Sequence, residues 1–289
     1  MWQARCLPYN GFVNGLTPLA LQSSLSVEPM DKFQPCTVAE FVHQFQQTCP
    51  QPGLMATDMD GTLTRQGKFS ADLIQALDQL QRVGWTVLVV TGRSAGWVQG
   101  LAHYLPIAGA MAENGGVYFP GSDRPEYLSD IPNLASYRES LEEVFCHLGK
   151  HGFDLAPAED NAFRLTDWTF STEGLTSTDL TRMAEICHGL DWGFTYSTVQ
   201  CHLFPQGQSK AAGLQRVLKR HFPQFSPQQV ITLGDSLNDV SLFDAALFPH
   251  SVGVANVKHY WPHLAHHPRC VTHLPEVDGF LELIQALLA

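Results

Sequence analysis

Two carboxylates one residue apart, Asp58 and Asp60 in DMDGT, follow a short apolar run, and Gly61 with Thr62 offers a turn whose backbone N–H groups approach an anion. A second apolar run ends in Thr91, Gly92 and Arg93, and a third in Asp235, Asn238 and Asp239. In an open parallel sheet, ligands bind at the carboxyl ends of the strands, so these groups converge on one edge. Four carboxylates crowded there repel one another, and a divalent cation is the natural compensation. Mg²⁺ fits best, because the donors are hard oxygens without a His/Cys set. Lys210 follows Ser209 at a helix start, where its charge and the helix N-terminus both favour anions. A carboxylate nucleophile, a second carboxylate to move a proton, and a metal plus lysine to hold charge together suit phosphoryl transfer.

The elements that must position these groups are legible as apolar runs alternating with helix-periodic stretches, the pattern of an α/β fold. The runs are Leu54 to Thr57, Val87 to Val90, Ile107 to Ala112, Val230 to Leu233 and Ser251 to Val254. Ser70 caps a predicted helix with Leu73, Ile74, Leu77 and Leu80 on one face, and Gly84 stops it. Val240, Leu242 and Phe243 open a short helix, and Phe280, Leu281, Ile284, Leu287 and Leu288 form a C-terminal amphipathic face, so the sheet is covered on both sides. From Gly121 the pattern changes. Pro120, Gly121, Ser122, Asp123 and Pro125 resemble a hinge, Ser136 with Glu139 forms a capping box, and NAFRLTDWTF reads as a strand. A helix through Leu180, Met183, Cys187 and Leu190 and the strands GFTYS and QCHLF complete an α+β insertion. The expected organisation is an N-terminal extension over 1–49 without assignable elements, a Rossmann-like parallel-sheet core over 50–121 and 205–289, and a smaller inserted α+β domain over 122–204. Met30 is an alternative start.

With 289 residues, 44% of them hydrophobic and 16% charged, the chain can bury a sizeable core. Its net charge of −11 argues against nonspecific nucleic-acid or polybasic membrane binding, and no apolar run approaches the ~20 residues of a membrane span. Seven scattered cysteines, none in a CxxC pair, fit a reducing compartment, and the N-terminus makes a poor signal peptide, so a cytoplasmic location is expected.

DMDGT, VVTGR, the Lys210 segment and GDSLND, in that order across residues 54 to 239, resemble the four motifs of the haloacid dehalogenase-like phosphatases. The insertion between the second and third motifs, with AENGGVYF ahead of it, resembles the Cof-like branch with a large α+β cap, which includes sucrose-phosphate, mannosylphosphoglycerate and archaeal phosphoglycolate phosphatases. The resemblance implies that Asp58 is the nucleophile and Asp60 the acid and then the base. It implies that Thr91 hydrogen-bonds the phosphoryl group and that Lys210 neutralises nucleophile and phosphate. Asp235 would hold Mg²⁺ with Asp58 and the main-chain carbonyl of Asp60, with Asp239 and Asn238 supporting that shell. QSKAAGL lacks the glycine that often follows the lysine.

Gly61, Gly92 and Arg93 fall on the substrate side of these motifs. Asn114 is either a turn residue at positive φ or a substrate contact, and Asp239 is either a metal supporter or a helix cap. Arg164 either grips a substrate carboxylate or second phosphate or pairs with Asp167, and His202 is a candidate for the cleft. His263, His266 and His267 read as a solvated loop in preference to a metal site. The expected reaction is hydrolysis of a small phosphorylated metabolite, a sugar phosphate or phosphorylated small acid, through an aspartyl-phosphate. A phosphomutase of phosphomannomutase type and a noncatalytic phosphometabolite sensor are the rivals.

Overall fold

Along the chain, α1 (Val38–Thr48) leads into β1 (Leu54–Thr57), α2 (Ala71–Arg82), β2 (Thr86–Val90), α3 (Ala95–Tyr104) and β3 (Gly109–Ala112), followed by β4 (Val117–Phe119) and β5 (Glu126–Tyr127). Next come α4 (Leu134–Lys150), β6 (Trp168–Ser171), α5 (Ser177–Gly189), β7 (Trp192–Tyr196) and β8 (Gln200–Pro205). The last part contains α6 (Lys210–His221), β9 (Val230–Gly234), β10 (His250–Gly253), β11 (Cys270–Val271) and α7 (Glu276–Leu288). This computed structural model describes residues 34–121, 124–197 and 200–289.

The main sheet has the order β11-β10-β9-β1-β2-β3-β4-β5, parallel as far as β3 and antiparallel beyond it. Its inner strands are apolar throughout because both faces are covered. Met55, Val87, Val89, Ile231 and Leu233 pack with residues of α1, α2, α3 and α7. Their alternates Leu54, Ala56, Leu88, Val90 and Val230 pack with Ala211, Leu214, Val217 and Leu218 of α6. The period of two thus sends successive residues into two separate cores. A three-stranded antiparallel sheet, β6-β8-β7, packs with α4 and α5 around Phe170, Leu203, Leu141 and Met183. A Rossmann-like α/β sheet accompanied by a smaller α+β unit is the expected fold class.

The structure corrects several local expectations. Within the stretch 1–49, α1 is an ordered helix with a reciprocal capping box at Thr37 and Glu40. Its buried Val38, Phe41, Val42 and Phe45 join the same core as α7, and it is this tertiary packing that makes so short a helix stable. Residues 1–33, including the alternative start at Met30, lie outside the described residues, as do Ser122 and Asp123 of the expected hinge. Ile74 is 38% exposed, at the edge of the α2 face that buries Leu73, Leu77 and Leu80. The α4 cap is Asn133, whose side chain accepts from Ser136 N, so the helix starts ahead of the expected Ser136/Glu139 box. NAFRLTDWTF divides into a 3-10 turn, Glu159–Phe163, and the strand β6. The residues between them leave the strand path because Arg164 and Asp167 form a buried ion pair. The expected helix at Val240 is a 3-10 segment, Leu237–Phe243.

Candidate active site

β1 lies between β2 and β9, with Thr57 opposite both Val89 and Leu233, so Asp58 and Asp235 leave the sheet at the same edge as Thr91. The backbone continues this pairing: Asp58 N donates to Leu233 O at 3.0 Å and Thr91 N to Met111 O at 2.9 Å. Lys210 begins α6, whose cap Ser209 accepts from Ala212 N at 3.1 Å. Its fully buried ammonium donates to Asp58 Oδ1 at 2.5 Å and Asp239 Oδ1 at 2.6 Å. The other Asp239 oxygen accepts from Asp235 N at 3.0 Å and Ser236 N at 3.1 Å, so Asp239 caps the 3-10 segment and also anchors Lys210.

Asp58, Asp235 and Asp239 offer oxygens within 4.8 Å of one another, the one such His/Cys/Asp/Glu group among the described residues. Burial, with Asp239 and Asp60 adding to it, pushes the Asp58 carboxyl up to about 7 in spite of Lys210. Asp235 is raised well above its ordinary value by burial and by Asp58. Burial alone would lower Lys210, but Asp239 and Asp58 raise it, so the ammonium is held charged. One ammonium serves three buried carboxylates. Asp235 Oδ1 is buried without a hydrogen-bond partner, and all these donors are hard oxygens, so the set fits a hard divalent cation. Gly61 has φ +81°, and a Cβ there would sit 2.5 Å from Asp235 Oδ2, so glycine lets the turn approach this carboxylate.

Asp60 stands at the rim, gripped through both oxygens by Arg93 Nε at 2.9 Å and Nη2 at 2.7 Å. Thr91 is buried and its Oγ1 accepts from Arg93 N at 3.1 Å. Asn114 has the positive φ of a turn residue, +52°, and packs beside Gly92 with its Nδ2 buried and unpartnered. Asn238 donates to Asn114 Oδ1 at 3.3 Å and accepts from Ser236 Oγ at 2.6 Å. Asn114, Lys210 and Asn238 line one side of a cleft of about 310 Å³, opposite Phe194 and Thr195 of β7.

Arg164 and His202 are not presented to that cleft. Arg164 is fully buried, and its guanidinium donates to Asp160, Asp167, Gln200 and the carbonyl of Gly92. His202 Nδ1 lies 2.8 Å from Asp167 Oδ2, and its ring closes the space beside Gly92. His266 is half-exposed, and His267 Nε2 lies 3.2 Å from Trp261 O.

Two residues at the site were not foreseen. Asn256 donates to Asp235 Oδ2 at 2.7 Å and to Gly61 O at 3.1 Å, and accepts from Glu276 N, which ties the acidic edge to α7. Glu113, fully buried beside Asn114, receives backbone donors from both sheets' surroundings. The only sequence signal for either was position, just past the end of a buried strand run.

Comparison with known proteins agrees with this geometry. A sequence profile of the haloacid dehalogenase-like hydrolases matches residues 55–156 and 156–284. A phosphoglycolate phosphatase of Halobacterium salinarum is 30% identical over 70% of this chain and 84% of its own, and one from Aeropyrum pernix is 29% identical over 81% and 92%. A haloacid dehalogenase-like hydrolase from Bacillus subtilis superposes with a TM-score of 0.63 at 17% identity, covering 81% of this chain and 99% of the other. A HAD/Cof-like hydrolase from Plasmodium vivax gives 0.65 at 17% identity over 84% and 99%. The chain belongs to the haloacid dehalogenase-like hydrolase family, among its phosphatases.

Proposed function

We propose that the protein hydrolyses a small phosphate monoester, a sugar phosphate or a phosphorylated small acid, with Mg²⁺. The observation that carries this reading is the buried Lys210 bridging Asp58 and Asp239 beside the unpartnered oxygen of Asp235. Asp58, Asp235 and the main-chain carbonyl of Asp60 would hold the cation, supported by Asp239 and Asn238. It would supply charge neutralisation that lets a phosphate approach carboxylates.

In the first half-reaction a carboxylate oxygen of Asp58 attacks phosphorus and the bond to the ester oxygen breaks. Asp60 gives its proton to that oxygen, and the alcohol leaves. In the second, water attacks the aspartyl-phosphate, Asp60 takes its proton, and the acyl–phosphate bond breaks to return Asp58 and inorganic phosphate. Thr91 hydrogen-bonds the phosphoryl oxygens, aided by the backbone at Gly61 and Gly92. Lys210 stabilises the charge that builds up on Asp58 and phosphate. Arg93 holds Asp60 in place, and Asn114 offers its free amide N–H to the substrate. Residues 122–204 form a cap over a core made of 50–121 and 205–289, and its β7 edge excludes water from the cleft. No described helix is long and apolar enough to cross a membrane. The scattered cysteines support a cytoplasmic location.

The test is phosphate release from sugar phosphates, phosphoglycolate and phosphorylated glycosides, with Mg²⁺ or EDTA, for wild type and Asp58→Asn. Release that needs Mg²⁺ and is lost in the variant is expected. An active Asp58→Asn enzyme overturns the nucleophile assignment, and no release from any compound returns the mutase and sensor readings.

A further inference from the structure

The stretch 164–167, which lies between the 3-10 turn Glu159–Phe163 and β6, is held at the core edge by Leu165 packing on the core and by a set of polar contacts. Glu113 Oε1 accepts from Ala95 N at 2.8 Å and Leu165 N at 2.9 Å, and Oε2 accepts from Thr166 N and from Thr166 Oγ1 at 2.7 Å. All its acceptor sites face donors, so a carboxylate fits and an amide would not. Gly116 makes room for this seat, since a Cβ there would lie 1.9 Å from Thr166 Oγ1. Asp167 is held by Arg164 and His202 within the same buried cluster.

From this seat Arg164 Nη1 reaches Gly92 O at 3.0 Å. The rest of the Thr91–Arg93 loop is tied to the core: Asn114 N donates to Thr91 O, Glu113 N to Arg93 O, and Arg93 N to Thr91 Oγ1. Gly92 O is the loop oxygen held from outside the core. The Gly92–Arg93 peptide is therefore fixed at its N–H end by Thr91 and at its carbonyl end by Arg164. Glycine on one side of that peptide would otherwise let it rotate. The plane of this peptide sets the direction in which the Arg93 side chain leaves, and Arg93 alone grips both oxygens of Asp60.

We propose that Arg164 is a positioning residue: through the Gly92 carbonyl it fixes Arg93, and through Arg93 it aims Asp60 at the ester oxygen. The guanidinium is required because its fork joins Gly92 O to the side chains of Asp160, Asp167 and Gln200 at once, which a single ammonium does not do. The inference rests on the phosphatase reading above, in which Asp60 protonates the leaving oxygen.

The test compares two esters at a temperature well below unfolding. An alkyl phosphate needs its leaving oxygen protonated, whereas p-nitrophenyl phosphate does not. Arg164→Lys keeps the charge beside Asp160 and Asp167, and R164Q/D167N removes the ion pair as a unit should the lysine variant fail to fold. For either variant, kcat/KM, which reports only the first half-reaction, is expected to fall about tenfold or more on the alkyl ester, as slight misplacement of a catalytic group does. On p-nitrophenyl phosphate kcat/KM should fall less than about threefold on the same ground. Asp60→Asn should reproduce the skew. Equal losses on both esters, or none, alongside a skewed Asp60→Asn overturn the positioning role and leave the function intact. An Asp60→Asn enzyme without the skew overturns the acid assignment first, and this inference with it.

Discussion

Asp58, Asp235 and Asp239 crowd around a single buried ammonium that bonds only Asp58 and Asp239, so proton and cation compete to make up the missing positive charge. Asp58 takes its proton near pH 7 when folded and near 3.8 in an ordinary setting, a folded-state value raised above the unfolded one. Between those values the folded chain holds a proton that the unfolded chain has lost, so this group's contribution to stability declines as pH rises and levels off above about 7. A bound cation favours the ionised form. The rise in melting temperature on adding Mg²⁺ is therefore expected to be larger at pH 8 than at pH 5.5, and smaller in Asp58→Asn. Scanning fluorimetry checks this, and a shift independent of pH would contradict it. Lys210→Ala should lower kcat by several orders of magnitude, since a charged group in a dry site is worth far more than in water; a near-normal rate would mean that another cation acts there. Asp58, Asp60, Thr91, Lys210 and Asp235 were legible in the sequence because each follows a strand run or opens a helix, so topology alone brings them together. Glu113 and Asn256 were not, because a lone Glu or Asn takes its meaning from partners distant in the chain. Arg164 was legible as either a binding arginine or the partner of Asp167, and the buried ion pair decides for the second.

α1 shows what packing adds to an isolated element. Its eleven residues are too few to hold a helix in water, yet Phe41 and Phe45 are each 1% exposed, and Phe45 stacks on Trp85 at 5.8 Å between ring centroids. Phe45→Ala is expected to destabilise the protein by about 3–5 kcal/mol, read from denaturant midpoints, with turnover of the folded enzyme preserved. A loss below 1 kcal/mol would mean that α1 is peripheral. The same element explains a limit of the sequence reading. Its apolar positions, Val38, Phe41, Val42 and Phe45, recur at helical spacing behind the Thr37/Glu40 capping box, a local signal that the sequence reading passed over. The break after residue 163 and the early start of α4 at Asn133 escaped for a related reason. Both rest on contacts between residues three apart, Arg164–Asp167 and Asn133–Ser136, in which a side chain competes with regular backbone pairing, so the signal was local but lay outside the apolar periodicity.

At the scale of the whole molecule, one chain leaves the sheet, builds the β6-β8-β7 unit and returns to complete the sheet. The family match begins at residue 55, so deleting residues 1–29 is expected to leave turnover largely unchanged. Deletion through residue 49 removes α1 and should lower the melting temperature markedly, and equal stability of the two truncations would refute its structural role. The placement of β1 between β2 and β9 bears on how the protein is made. Leu54 pairs with Thr86 early in the chain but with Val230 only near its end, and Asp58 meets Lys210 and Asp239 across the same gap. During synthesis Asp58 leaves the ribosome long before the strand that flanks it and the lysine that pairs with it. Such distant pairings close slowly. Until they do, β1 presents an open edge, and a polypeptide released before β9 is incapable of turnover and exposed to capture by chaperones.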